Sequence, residues 1–289
     1  MRKPEWIKAR LPTGEQFNRV NQILNKYRLN TVCSSARCPN LGECWNNGTA
    51  TIMILGDTCT RHCRFCSVKN GNPQGKFDLD EPERVAAAVQ ELGLKYVVLT
   101  SVDRDDLEDF GAGIFARTIR EIKKKNPSVQ VEVLAPDFGT EAELIKNVLA
   151  AHPDVFAHNL ETVARLTPFV RDRRAGFNRS LLVLELAKKI APQILTKSGL
   201  MVGLGEKVEE IIQTLHQLRS VNCDFVTIGQ YLQPNRSCLP VVRYLTPQEF
   251  NQLENFAREL GFRQVFAGPL VRSSFRAAEM FNTIVPTLS

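Results

Sequence analysis

No run of about 18 apolar residues occurs in this sequence, so no membrane-spanning helix is expected. The opening segment, Met1 to Arg10, lacks the apolar core of a secretory signal, and a cytoplasmic location is expected. Internal repeats and low-complexity tracts are absent. His62, His152, His158 and His216 show no metal-ligand spacing. The glycines of Gly199-Leu-Met-Val-Gly-Leu-Gly-Glu206 do not follow the Gly-x-Gly-x-x-Gly order of a dinucleotide loop, and close backbone approach to a cofactor at a strand end suits them better. No aromatic–basic platform or nucleic-acid motif accompanies the basic residues, so nucleic acid is not an expected partner. What remains is a chain of ordinary globular composition, 43% apolar and 24% charged. Its 289 residues suffice for one large core or for a barrel with extensions.

Cysteine is where the sequence is rich. Six of the eight cysteines form two triplets, Cys33-x4-Cys38-x5-Cys44 and Cys59-x3-Cys63-x2-Cys66. A structural zinc site closes its shell with four ligands. An iron–sulfur cluster can be held by three thiolates with one iron left open. In a reducing compartment disulfides are disfavoured, and Cys59-x3-Cys63-x2-Cys66 does not match the two paired Cys-x2-Cys units of a zinc ribbon. Two triplets therefore point to two clusters. Cys223, at a helix–strand junction, and Cys238, in a loop, belong to neither and read as small buried hydrophobes.

Cys-x3-Cys-x2-Cys after the apolar run Thr49–Leu55 is similar to the signature of radical S-adenosylmethionine enzymes. With the upstream triplet it resembles the lipoyl synthase family. Further matches are Thr100-Ser-Val-Asp-Arg-Asp-Asp-Leu107, His158-Asn-Leu-Glu-Thr162, Gly199–Glu206, Ile228-Gly-Gln-Tyr-Leu-Gln-Pro234 and Gly268-Pro-Leu-Val-Arg-Ser-Ser274, so the resemblance covers residues 30 to 280. It implies insertion of two sulfur atoms at C6 and C8 of a protein-bound octanoyl-lysine chain. Those methylenes carry no acidic proton, so the cofactor supplies the hard step. On this resemblance Cys59, Cys63 and Cys66 hold the 4Fe–4S cluster that cleaves S-adenosylmethionine, and Cys33, Cys38 and Cys44 hold an auxiliary, sulfur-donating 4Fe–4S cluster. Ser273 of Arg272-Ser-Ser-Phe275 is the expected fourth ligand of the auxiliary cluster, with Ser274 the runner-up. Phe275 stands where the family usually has Tyr, which leaves that ring a packing role.

Strand-like runs at Thr49–Leu55, Tyr96–Thr100, Val129–Leu134, Val155–His158, Gly199–Val202 and Phe225–Gly229 alternate with helical stripes. Val85, Val89 and Leu92 mark one helix, and Val208, Ile211, Ile212, Leu215 and Leu218 another. Thr246-Pro-Gln-Glu249 reads as a capped helix start, with a stop at Gly261. The expected class is α/β, an open (β/α)6 partial TIM barrel with N- and C-terminal extensions and with chemistry at the strand C-termini. The regions are 1–48 (auxiliary cluster), 49–245 (radical SAM partial barrel) and 246–289 (C-terminal helix and Ser ligand).

Cofactor candidates follow from strand ends. Ser101 and Asp103 sit where the superfamily binds the amino group of S-adenosylmethionine. The resemblance implies that Asn159 and Glu161, after the fourth strand, contact its ribose hydroxyls, and Phe65 and Leu232 are candidates to flank its adenine. Residues 1–50 hold eight Lys/Arg and three Glu, a net of +5 against +6 for the whole chain. That excess fits an acidic carrier protein. The expected carriers are octanoylated lipoyl domains, those of 2-oxoacid dehydrogenase E2 subunits and the glycine cleavage H protein, with a ferredoxin or flavodoxin as electron donor. Lys123–Lys125 ends a helix, whose dipole favours cations there; the Arg171–Arg174 run is expected in a βα connection near the active face, within reach of cofactor or carrier. The alternatives are a biotin-synthase-like sulfur inserter and a zinc-dependent nucleic-acid-binding protein.

Overall fold

The structure, a computed structural model, describes residues 2–8, 12–47 and 49–283. Arg10 of the basic cluster, and the region ends Met1, Gly48 and 284–289, lie outside the described residues.

All six expected strands form. They are β2 (Thr51–Ile54), β3 (Tyr96–Ser101), β4 (Gln130–Leu134), β5 (Val155–Ala157), β6 (Leu195–Val202) and β7 (Phe225–Gln230). Two more that pair with these were not legible: β1 (Asn30–Thr31), antiparallel to β2, and β8 (Gln264–Gly268), parallel to β7. The last 40 residues are therefore not purely an extension, because they add a strand to the sheet. β6 begins four residues before its apolar run, since Thr196, Lys197 and Ser198 are polar yet buried.

The chain divides into two compact units. One holds residues 9–62 and 66–156, with strand order β1-β2-β3-β4-β5; the other holds residues 1–8, 63–65 and 157–289, with β6-β7-β8. Within the first, β2 pairs with β3 from Thr51↔Val98 to Ile54↔Ser101, and β3 with β4 from Tyr96↔Gln130 to Thr100↔Leu134. In the second, β6 pairs with β7 from Lys197↔Phe225 to Val202↔Gln230. Parallel neighbours with helical crossovers bury both faces, which is why these strands read as continuous apolar runs.

Helix Glu81–Leu92 starts with acidic residues and Pro82 and stops at Gly93, whose φ of 68° suits glycine. Its Val85, Val89 and Leu92 are buried, each contributing about 1.5–3 kcal/mol of apolar burial. The Glu81 carboxylate accepts the Leu55 N–H at 2.7 Å, tying the helix start to the end of β2 just before the second cysteine triplet. Helix Val208–Ser220 buries Ile211, Leu215 and Leu218, but Val208 is 42% exposed and leaves the expected stripe. Helix Pro247–Glu259 has the expected reciprocal cap: Thr246 Oγ accepts the Glu249 N–H, and Glu249 Oε2 accepts the Thr246 N–H. Gly261 follows it at φ 84°.

Candidate functional site

The first triplet sits in an N-terminal apolar cluster. Cys33 is buried there among Val20, Ile23, Leu24, Trp45, Ala88 and Leu92, with Cys38 and Cys44 packed against them. Burial pushes the Cys44 thiol up to about 12, and the neighbouring Cys33 and Cys38 push it in the same direction. Cys33 is likewise raised by burial, opposed by Thr51 and by the indole of Trp45. Trp45 Nε1 is buried without an N or O partner, and its ring stacks on Phe17 at 5.0 Å. These neighbours carry no signal in sequence beyond adjacency to Cys44. The thiolate, not the thiol, is the metal ligand, so a cation bound here would take the place of these protons.

The second triplet begins at Cys59, in a short strand pair, Thr58–Cys59 with Lys69–Asn70. Cys59 Sγ lies 3.8 Å from Asp103 Oδ2. Burial raises its thiol to about 12, with the Asp103 charge adding to the shift. The next residues are fastened to the turn after β3. Thr60 N–H donates to the Asp103 carbonyl at 2.9 Å, and Thr60 Oγ reaches Asp105 Oδ2 at 2.6 Å. Sequence reasoning missed Arg61 altogether. Its side chain is 4% exposed, forks onto Asp105 and Asp137, and approaches Asp103 at 3.4 Å. Burial alone would lower its pKa; Asp137, Asp103 and Asp105 together hold it far above the ordinary arginine value. Arg104, 1% exposed, pairs with Asp106 and donates to the Leu55 carbonyl. The spacing Asp103-Arg-Asp-Asp106 was the available signal for both.

Cys63 and Cys66 are partly buried, and each sulfur accepts a backbone N–H: Cys63 from Asp172 at 3.3 Å, Cys66 from Val68 at 3.4 Å. Hydrogen bonds to sulfur are among the factors that tune iron–sulfur clusters. His62 bonds to Asn70. Among the described residues no three His, Cys, Asp or Glu are gathered as around a single ion. A four-iron cube spreads its thiolates over separate corners, and a partly buried all-thiol set suits it.

The cofactor candidates have distinct environments. Ser101 Oγ is buried with no hydrogen-bond partner, a vacancy that a polar ligand would satisfy. Asn159 is 7% exposed, and its Nδ2 donates to Glu161 Oε1 at 3.0 Å and to Ser273 Oγ at 2.7 Å. Asn159 Oδ1 has no partner. Glu161 adopts φ 70°, costly for a residue with a Cβ, and its backbone clasps β6 through Gly199 and Met201. Phe65 packs, partly buried, on the core cluster that holds Leu160 and Ile228, and Leu232 is half-buried.

Glycine makes room for this arrangement. A Cβ on Gly199 would stand 2.8 Å from Asn159 Oδ1 and 2.9 Å from Ser273 Oγ; one on Gly229 would stand 2.0 Å from the Val271 carbonyl oxygen. The Val271–Ser273 segment thus crosses β7 at a point only glycine permits. Arg272 Nη1 fixes it through the Gln230 and Val271 carbonyls. Gly203, by contrast, is approached by Gln230 Nε2 and the Arg243 carbonyl, so its closeness serves the protein's own packing. Phe275 packs under the Arg276 guanidinium, 5.3 Å from ring centre.

The other readings resolve simply. Cys223 and Cys238 are buried. His158 Nε2 meets Ser180 Oγ at 2.9 Å. Lys123 pairs with Asp154 at the end of helix Ala112–Lys125. Arg171 Nη1 donates to Ser180, and Arg174 pairs with Asp172, leaving Arg173 exposed.

Residues 53–218 match the radical SAM superfamily, and residues 1–38 match the N-terminal domain of lipoyl synthase. Solved structures agree on the fold. Methylornithine synthase gives a TM-score of 0.58 at 14% identity, covering 86% of this chain and 74% of that one. Coproporphyrinogen III oxidase of Escherichia coli, a radical SAM enzyme, gives 0.55 at 15% identity, covering 72% and 52%. Fold and match together define a radical SAM protein, α/β in class, with an open, mostly parallel sheet of the partial-barrel type.

Full-length relatives narrow the class. Lipoyl synthase of Thermus thermophilus is 57% identical over 279 residues, 96% of this chain and 86% of the relative. That of Methanocella arvoryzae is 51% identical over 98% and 96%, and the mitochondrial lipoyl synthase of Culex quinquefasciatus 50% identical over 99% and 76%. The chain belongs to the lipoyl synthase family of radical SAM, sulfur-inserting enzymes. Two 4Fe–4S clusters and S-adenosylmethionine are its cofactors. The biotin-synthase-like and zinc-module alternatives fall away with that membership.

Proposed function

We propose that the two cysteine triplets divide the labour of lipoyl formation. Cys59, Cys63 and Cys66 hold the cluster that works on S-adenosylmethionine; Cys33, Cys38 and Cys44, with Ser273, hold the sulfur-donating cluster. The observation that carries this reading is the gathering of Cys33, Cys38 and Cys44 in and against one apolar cluster, apart in sequence from the superfamily triplet. When bound, clusters and cofactor supply an electron, hydrogen-atom abstraction at the unactivated C6 and C8 methylenes of an octanoyl-lysine chain, and two sulfur atoms.

The chain's own residues bind and orient. Ser101 and Asp103 receive the cofactor's amino group, the first offering a buried hydroxyl with no other partner. Asn159 and Glu161 take the ribose hydroxyls, held in relation by their mutual hydrogen bond. Phe65 and Leu232 flank the adenine. Ser273 Oγ is a harder, more basic donor than a thiolate, so a proton releases it readily. Arg173, exposed between two paired arginines, faces the carrier.

The substrates are octanoylated lipoyl domains of 2-oxoacid dehydrogenase E2 subunits and the glycine cleavage H protein. Basic residues before position 50 receive their acidic faces, and a ferredoxin or flavodoxin delivers electrons. No described helix is long and apolar enough to cross a membrane, and the bacterial relatives support a cytoplasmic setting. Three functional regions, 1–48, 49–245 and 246–289, carry auxiliary cluster, partial barrel and serine ligand.

Anaerobic turnover with an octanoyl-lysyl peptide tests the division. Wild type should release 5′-deoxyadenosine and add the mass of two sulfurs. Cys59→Ala, Cys63→Ala and Cys66→Ala should release none, whereas Cys33→Ala, Cys38→Ala and Cys44→Ala should release some and insert no sulfur. Lipoyl product from an N-terminal variant would refute the sulfur-donor assignment.

A further inference from the structure

One buried side chain beside the second triplet has no part in the reading above, and it bonds carboxylates that follow two different strands. The Arg61 guanidinium, two residues after Cys59, donates to two carboxylates and lies near a third. Nε and Nη2 fork onto Asp105, with distances of 2.8–3.1 Å. Nη1 and Nη2 fork onto Asp137 at 2.7 and 2.8 Å. Nη1 also lies 3.4 Å from Asp103 Oδ1, while Asp103 Oδ2 faces Cys59 Sγ at 3.8 Å. Asp103 and Asp105 follow β3, and Asp137 follows β4 and caps the turn Phe138–Thr140. A planar cation with five donors can brace two strand ends at once in this way; a lysine cannot.

We infer that Arg61 is the positioning residue of the radical-cluster loop. Resting on the assignment of Cys59, Cys63 and Cys66 to that cluster, this gives Arg61 two tasks. It locks the Cys59 arm of the loop onto the ends of β3 and β4, and it fixes where the Asp103 carboxylate stands against the Cys59 sulfur. Both tasks depend on geometry as well as charge. Bidentate arginine–carboxylate pairs are short and directional, and Thr60, bonded to Asp103 and Asp105, adds a second tie of the same arm. The loop cysteine is thereby placed before any iron binds. Outer-shell residues that orient ligands in this way typically govern metal affinity by 10–100-fold.

The test uses the full-length chain with Cys33, Cys38 and Cys44 changed to Ala, reconstituted anaerobically so that only the loop cluster is counted. In this parent, Arg61→Gln, Arg61→Lys and Asp105→Asn are compared by circular dichroism, by the rate of iron loss to a ferrous chelator, and by the electron paramagnetic resonance signal of the reduced cluster before and after S-adenosylmethionine. Iron loss should quicken by about 10–100-fold in Arg61→Gln. Arg61→Lys should recover little of it, since charge without the fork does not brace both strands, and the spectral response to S-adenosylmethionine should change in both. Asp105→Asn removes one fork while keeping the residue's shape, and it carries the same expectation should Arg61→Gln not fold. Folded variants that keep the parental rate and spectral response would overturn the positioning role, because a purely structural arginine lowers only the melting temperature. A parent that binds no iron would instead refute the cysteine assignment itself.

Discussion

Replacing Gly199 by Ala separates the needs of the fold from those of the site. Gly199 lies inside β6 without a positive φ, so alanine fits its backbone, and the loss of glycine's freedom in the unfolded chain stabilises by about 0.4–1 kcal/mol. Against this, the new Cβ stands 2.8 Å from Asn159 Oδ1, 2.9 Å from Ser273 Oγ and 3.1 Å from Thr227 Oγ1. All three are side-chain atoms that can rotate away. Their retreat breaks the Asn159–Ser273 bond, worth about 0.5–1.5 kcal/mol. The opposing terms leave a net change within about 1 kcal/mol, or roughly 2–4 °C in melting temperature for a chain of this size. The site does not cancel in this way: Asn159 and Ser273 are displaced together. Binding of S-adenosylmethionine to the reconstituted enzyme should weaken about tenfold, the equivalent of about 1.4 kcal/mol, and lipoyl formation should fall at least as far. The assays are thermal melting of the cluster-free protein and equilibrium dialysis with labelled cofactor. Wild-type affinity and turnover in Gly199→Ala would refute the argument that this glycine keeps space for the polar cluster.

Ser273→Ala should abolish sulfur insertion while 5′-deoxyadenosine is still released, and Ser274→Ala should be milder; equal effects would move the ligand assignment. Carrier docking should weaken as ionic strength rises past physiological, where the Debye length is about 8 Å; a short octanoyl peptide should respond much less, and equal responses would count against steering by the basic N-terminal region. Thr246→Ala removes the hydroxyl that accepts the Glu249 N–H but keeps the backbone N–H that Glu249 accepts, and it should cost about 1 kcal/mol in denaturant unfolding of the cluster-free protein without altering cofactor affinity.

Much of this protein is written locally. Cys-x3-Cys-x2-Cys and Cys-x4-Cys-x5-Cys are legible because their ligands lie within a few residues of one another along the chain. The strands are legible because parallel strands covered by helices must be apolar throughout, and Thr246–Glu249 because a cap is satisfied within four residues. The failures were non-local. β8 joins the sheet through register with β7, from Gln264↔Phe225 to Gly268↔Gly229, and five residues carry too weak a pattern to show that pairing alone. The first half of β6 was hidden because Thr196, Lys197 and Ser198 are polar residues buried by their tertiary surroundings. Val208 fits the helical period but ends exposed, since a stripe's first residue can overhang the core.

Around the site the same division holds. Sequence by itself determined which sulfurs are available, how many, and in which order along the chain, because those are properties of spacing. Only the tertiary structure decided that Arg61 meets Asp105 and Asp137, 44 and 76 residues away, and that Asn159 meets Ser273 across 114 residues. Partners that far apart leave no periodic trace in the sequence. They are selected by a buried charge or amide that must find its complement wherever the strand ends bring one within hydrogen-bond reach.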